Sequence, residues 1–188
     1  LKAAPEVSHR GILRIDSPLE WIDTSLLDIP EEEQTENGSR INQAEAQIAI
    51  RQLHDYIEKI GKERILDERI DFGVISPYKA QVQYLRQLIR RDAFFRPLRE
   101  LITIHTVDGF QGQERDVILI SLVRANERGR IGFLNDLRRM NVAITRARMK
   151  LLILGDSATI ARHQFYAALY DYIQQWGKIT RIQPEKEE

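Results

Sequence analysis

Short apolar runs rich in β-branched residues alternate along this chain with longer stretches in which apolar residues return at helical spacing. Strands separated by helix-length segments cannot pair through tight hairpins, so the pattern predicts parallel strands joined by helical crossovers, an α/β fold. Strands are predicted at Trp21–Asp23, Asp71–Ser76, Leu101–His105, Val117–Val123 and Leu151–Leu154, the fourth apolar enough to be central and buried on both faces. A helix opens at Asn42, with Glu45 three residues later as in a capping box, and turns Ala46, Ile50, Leu53 and Ile57 inward up to Gly61. Asn42 and Glu45 are read as structural. Further helices are predicted over Tyr78–Arg91, whose outer face is basic, over Asp136–Arg148, and over Ala161–Trp176 before a charged tail, PEKEE.

With 188 residues, 43% of them hydrophobic, the chain can bury one proper core. We divide it into an N-terminal strand and acidic loop (residues 1–40) belonging to the same domain as residues 41–178, and a tail (179–188). The chain contains no cysteine, which removes disulfide scaffolds, thiolate nucleophiles and cysteine zinc sites. Its apolar runs fall far short of the roughly 20 residues of a spanning helix. A soluble, intracellular protein is expected, cytoplasmic if bacterial, with no membrane partner. Because it begins at Leu1 rather than Met, the chain reads as a piece of something longer.

Twenty-eight basic residues balance 28 acidic ones, yet the basic set is 21 Arg and 7 Lys, and arginine's planar fork of donors suits phosphate oxygens. Charge is also segregated. Eight acidic residues and no basic one lie between Ile15 and Ser39, read as a solvated loop, whereas Arg124–Lys150 holds eight basic residues against two acidic.

Ligands of open parallel sheets collect at the carboxyl ends of strands, which directs attention to three segments. In Ser76–Gln81 a strand stops at Pro77 and a helix starts, so free amides beside Ser76 and Tyr78 could hold a phosphate and the aromatic ring could stack on a base. The competing reading is an ordinary strand-to-helix turn. In Thr103–Asp116, Gly109 and Gly112 bracket Phe110-Gln111 and allow close approach to a ligand, with Glu114 and Asp116 nearby. No Walker A loop occurs anywhere in the chain. In Asp136–Arg148, Arg139 and Arg146 are seven residues apart, within about 20° on one helix face, and such guanidinium groups can stabilise charge on a transferring phosphoryl group. The competing reading is a basic surface paired with carboxylates, which fits Arg138 and Arg148. No histidine has partners at metal-ligand spacing, so no metal site is expected, and no covalent triad is visible.

In this order and spacing, VISPYKAQ, TVDGFQGQERDVILISLVRAN and GFLNDLRRMNVAITRAR closely resemble motifs IV, V and VI of superfamily-one helicases, in the second RecA-like domain. The resemblance is narrower still to the branch holding the RNA helicase of nonsense-mediated decay and the replication helicase-nuclease, which NQAEA at Asn42–Ala46 also fits. It covers roughly residues 42–156. The resemblance implies a RecA-like parallel sheet of the P-loop NTPase type without its own Walker A segment. It further implies that Arg146 is the motif VI arginine reaching the γ-phosphate and Arg139 the other motif VI arginine, closer to a link between loops. By the same resemblance Gln111 and Gly112 lie beside that phosphate, Glu114 contacts the ribose, and Ser76, Pro77, Tyr78 and Thr106 face single-stranded nucleic acid. The implied function is the C-terminal motor domain of an ATP-dependent DNA or RNA helicase, moving 5′ to 3′ as the branch does. ATP and Mg2+ would be held mostly by a first RecA-like domain of the same protein, and this chain alone would be inactive. The alternative is a RecA-like module that binds nucleic acid or regulates without catalysis.

Overall fold

The computed structural model describes residues 16–27 and 29–184. Residues 1–15 of the expected N-terminal segment, Asp28 of the acidic stretch and the last four residues lie outside the described residues. In chain order the elements are β1 (Leu19–Asp23), β2 (Glu33–Gln34), β3 (Arg40–Ile41), α1 (Gln43–Ile60), α2 (Lys62–Glu68), β4 (Phe72–Ser76), α3 (Lys79–Arg91), a 3-10 segment (Ala93–Leu101) and β5 (Ile102–Thr106). They continue with a 3-10 turn (Asp108–Phe110), β6 (Arg115–Ser121), a second 3-10 turn (Gly132–Asn135), α4 (Leu137–Ile144), β7 (Ala147–Gly155), α5 (Ser157–Ile160), α6 (Gln164–Trp176) and β8 (Lys178–Arg181).

Six strands form one parallel sheet in the order β5-β4-β6-β7-β1-β8, and β2 pairs with β3 in a small antiparallel ribbon. This is the RecA-like α/β arrangement. The connections from β1 to β4 and from β4 to β5 run one way along the sheet and carry α1, α2 and α3 onto one face, where Leu53, Ile57 and Leu85 meet Phe72, Val74 and Leu119. Those from β6 to β7 and from β7 to β8 run the other way, so α4, α5 and α6 cover the opposite face, where Met140, Ile160 and Tyr166 meet Trp21, Ile120 and Ile153. Right-handed crossovers require this change of face when direction reverses. With both faces covered, β4, β6 and β7 read as near-continuous apolar runs.

Four expectations are corrected. Helix α4 ends at Ile144, not at Arg148: the Thr145 hydroxyl donates to the carbonyls of Asn141 and Val142, both at 3.0 Å, and Ala147 then enters the sheet opposite Arg115. Arg139 and Arg146 therefore do not share a helix face. Residues 178–181, mostly assigned to the tail, form edge strand β8 on β1. Nor is the acidic stretch simply a solvated loop, because three of its carboxylates are buried and partnered. Glu20 bonds Lys150 at 2.9 Å, Asp23 accepts from Ser157 at 2.8 Å and Tyr170 at 3.0 Å, and Glu32 pairs with Arg124 at 2.9 Å. The partners come from the far end of the chain, which local composition does not reveal. Finally, Glu45 does not close a capping box. Asn42 Oδ1 accepts from the Glu45 amide at 3.0 Å, but the Glu45 carboxylate turns to β6. Among the described residues no helix is long and apolar enough to cross a membrane.

Candidate functional site

Asp136 caps the N-terminus of α4, its carboxylate accepting from the Arg139 amide. Arg139 is exposed and bridges Asp136 at 3.5 Å and Asp108 at 3.4 Å, so it ties the turn after β5 to the start of α4. At the other end of α4 the chain turns through Thr145 and delivers Arg146 to the start of β7, where the Arg146 carbonyl accepts from the Arg115 amide at 3.0 Å. The half-buried Arg146 guanidinium donates to the carbonyl of Val142 at 3.1 Å, to that of Gln113 at 3.4 Å and to the Thr145 hydroxyl at 3.2 Å. These acceptors are neutral, and among the described residues no carboxylate forms an ion pair with Arg146. Arg148, two residues on, is held by Asp71 at 2.8 Å and Asp116 at 3.0 Å, the surface-pair role expected of it. An uncompensated guanidinium at a sheet edge retains its full charge for an incoming oxyanion.

The segment 107–114 crosses from the carboxyl end of β5 to the amino end of β6. Phe110 anchors it: the ring is fully buried against Gly73, where an added Cβ would come within 2.8 Å of the ring. The close approach expected at Gly109 is taken by the chain's own His105 ring. Gly112 differs, since its φ of 74° suits glycine and nothing lies within 4 Å of where a Cβ would stand. With Phe110 pinned inward, Gln111, Gly112 and Glu114 face solvent.

Because the strands are parallel, the candidate residues fall on two edges. Glu114 and Arg146 lie at the amino edge, beside the first residues of β6 and β7, whereas Ser76, Pro77, Tyr78 and Thr106 lie at the carboxyl edge. The rule that ligands gather at carboxyl ends therefore applies by position to the second group alone. Within the second group, Ser76 and Tyr78 are buried, the serine oxygen accepting from the Tyr78 amide at 3.4 Å. Tyr78 offers no free ring face, being covered by Phe133 in a stacked arrangement with centroids 5.5 Å apart. Pro77 and Thr106 are half-buried and share a small cleft with Asp108, Phe133, Asp136 and Arg139.

Sequence reasoning missed two features. One is Phe133, an exposed aromatic whose only signal is a large apolar residue in a glycine- and arginine-rich loop. The other fills the carboxyl ends of β4 and β6, where diverging connections open a crevice. There Glu45 accepts from Ser121 at 2.6 Å and from the Val123 amide at 2.8 Å, while Gln81 donates to Ser121 and to the Asn42 carbonyl at 3.1 Å each. Val123 sits at φ 71°, a strained position for a β-branched residue. Burial pushes the Glu45 carboxyl up to about 7, against the downward pull of Ser121 and Val123. The expectation that no histidine has partners at metal-ligand spacing is corrected at α1, where His54, Asp55 and Glu58 bring ligand atoms within 4.8 Å of one another. The His54 ring packs against Phe94 in a tilted arrangement, with centroids 3.7 Å apart.

Residues 1–158 match the family model described as an AAA domain. DNA polymerase alpha-associated DNA helicase A of Saccharomyces cerevisiae is 43% identical over 147 residues, covering 77% of this chain and 20% of that protein. DNA-binding protein SMUBP-2 of Mus musculus is 35% identical over 182 residues, 95% of this chain and 17% of that protein. Helicase SEN1 of Saccharomyces cerevisiae is 39% identical over 146 residues, 75% of this chain and 6% of that protein. The chain thus spans a fifth or less of the length of these relatives.

Proposed function

The chain belongs to the AAA domain family as the second RecA-like domain of a superfamily-one helicase, and from that premise we propose that it is one half of an ATP-driven motor that moves along single-stranded nucleic acid. Its partner in this reading is a first RecA-like domain of the same, longer, intracellular protein, which holds most of ATP and Mg2+. This chain closes the nucleotide cleft from the opposite side with its amino edge.

The observation that carries the reading is Arg146, a guanidinium fixed by three neutral acceptors and, among the described residues, left without a carboxylate. Bound ATP with its Mg2+ supplies the phosphoryl group. Arg146 adds positive charge where negative charge gathers during transfer, and the Gln113 and Val142 carbonyls hold it oriented for that purpose. Gln111 and Gly112 lie against the phosphates, an approach supported by the open space at Gly112. Glu114, exposed at the same edge, contacts the ribose. Arg139 acts as a positioning residue by keeping the Asp108 turn against α4. Pro77 and Thr106 contact the strand at the carboxyl edge, with Ser76 and Tyr78 supporting them from beneath. Cleft closure at one edge is coupled to grip at the other by the rigid sheet between them.

The test is strand-stimulated ATP hydrolysis by the full-length protein. Arg146→Ala is expected to lower turnover by roughly 10³ to 10⁵ while strand affinity stays near that of the parent. Unchanged turnover would remove Arg146 from the nucleotide site and the reading with it.

A further inference from the structure

Among the described residues, five large hydrophobic side chains are exposed, and Phe133 is one of them at 58%. It is also firmly held. Ile131 and Leu134 on either side are buried, the Tyr166 hydroxyl donates to the Leu134 carbonyl, and Asn135 meets His163 at 3.2 Å. At Gly132 the backbone has φ 52°, and a Cβ there would come within 2.5 Å of the Arg124 guanidinium and 3.0 Å of the Tyr78 hydroxyl. The loop is therefore pressed onto Tyr78 and Arg124, and the Phe133 ring cannot retract into the core. One ring face lies on Tyr78 and the side chain remains largely open to solvent. Holding a large apolar ring in water costs stability that burying it would recover.

We propose that Phe133 is a stacking platform for one base of the bound single strand, with Tyr78 as the rigid backing of the platform. The proposal rests on the strand-binding reading of the carboxyl edge and adds to it a contact to a base rather than to the phosphodiester chain. Two observations favour a nucleobase over an apolar segment of another protein. Phe133 shares its cleft with Pro77 and Thr106. Its own segment is strongly basic: Arg128 and Arg130 precede it and Arg138 and Arg139 follow it, all exposed, against Glu127 and Asp136 within the segment and Asp108, which shares Arg139 with Asp136. An anionic chain carrying flat rings complements both features, because every base has a π face while the arginines meet its phosphates. A platform of this kind tolerates any base and confers no sequence preference.

The experiment measures binding of a labelled oligothymidylate, and of an abasic phosphodiester oligomer of equal length, to the full-length protein and its Phe133→Leu and Phe133→Tyr variants. Leucine keeps Tyr78 covered but removes the π face; tyrosine restores it. Phe133→Leu is expected to weaken oligothymidylate binding by roughly five- to a hundred-fold, to leave abasic binding unchanged, and Phe133→Tyr to behave as the parent. Unchanged oligothymidylate affinity in Phe133→Leu, or an equal loss on both oligomers, overturns the platform. If Thr106→Ala weakens strand binding while Phe133→Leu does not, the strand-binding reading stands and the platform alone falls. If the parent protein binds neither oligomer, both fall. A change in assembly state with strand affinity intact assigns Phe133 to a protein contact and also overturns it.

Discussion

Glu45 has almost no accessible surface through which to hydrate its charge, and one of its carboxylate oxygens has no hydrogen-bond partner among the described residues. Burial raises its pKa from an ordinary 4.5 to about 7, so between those values the fold retains a proton that the unfolded chain has released. The folded state then binds more protons, and its stability must fall as pH rises through this window and level off above it. In Glu45→Gln the titration is gone while an acceptor for Ser121 and Val123 remains. Thermal melts of the two proteins are expected to converge near pH 5 and to separate in favour of the glutamine variant by pH 8, by as much as about 3 kcal/mol. A difference that does not change with pH would show that Glu45 does not titrate there. The sequence announced Asn42 as a helix cap, and the cap is formed. It could not announce the destination of Glu45, because Ser121 and Val123 lie 76 and 78 residues away. Arg146 stood out in the sequence as an arginine between Thr145 and Ala147 without acidic neighbours at helical spacing, and among the described residues it has no carboxylate partner, although by ending the helix rather than by turning it outward.

At the scale of elements, the strands and most helices were legible because their apolar periods are strong, and the errors fall where tertiary pairing overrides a local pattern. Nothing in Thr145-Arg146-Ala147 marks a helix end: there is no glycine or proline. Helix α4 stops there because Ala147 pairs with Arg115 across the sheet, an interaction that spans 32 residues of sequence. Strand β8 escaped notice for a different reason. KITR is a short edge strand with charged ends and lacks the apolar run that identifies a central strand. The segment 107–114 shows how an element can be positioned by a residue outside it. Gly73, the second residue of β4, leaves room for Phe110, and a methyl group there would meet the Ile118 side chain at 2.5 Å and the Phe110 ring at 2.8 Å. Gly73→Ala is expected to destabilise the protein by about 1–3 kcal/mol through overpacking, measured by urea denaturation. If the segment is anchored by Phe110 as described, the same substitution loosens Gln111–Glu114, and amide exchange there should quicken more than in α6. Uniform exchange rates across the chain would separate the cost of overpacking from any effect on the segment.

For the whole molecule the decisive feature is that β1 is not an appendage but lies between β7 and β8, paired in register with both. Trp21 is fully buried and its indole donates to the Gly155 carbonyl at 3.1 Å, while Leu19 and Ile22 face opposite layers of the core. Lys150, 1% exposed, finds its counter-charges in Glu20 at 2.9 Å and Asp16 at 3.1 Å. Burial pushes the Glu20 carboxyl up, but Lys150, together with the Thr180 hydroxyl and Lys178, outweighs it and holds the group below its ordinary range. Removing residues 1–40 would therefore strip the apolar cover from β7, leave β8 with no strand to pair with, and strand a buried ammonium without a partner, a loss typically worth about 3–5 kcal/mol on its own. That sum reaches the whole stability of an ordinary domain, about 5–15 kcal/mol. A chain beginning at residue 41 is expected to show no cooperative thermal transition, whereas the milder Trp21→Ala should still fold but lose about 3–5 kcal/mol. If the shortened chain melted cooperatively near the parent Tm, residues 1–40 would be a separable unit rather than part of the sheet that separates Arg146 at one edge from Thr106 at the other.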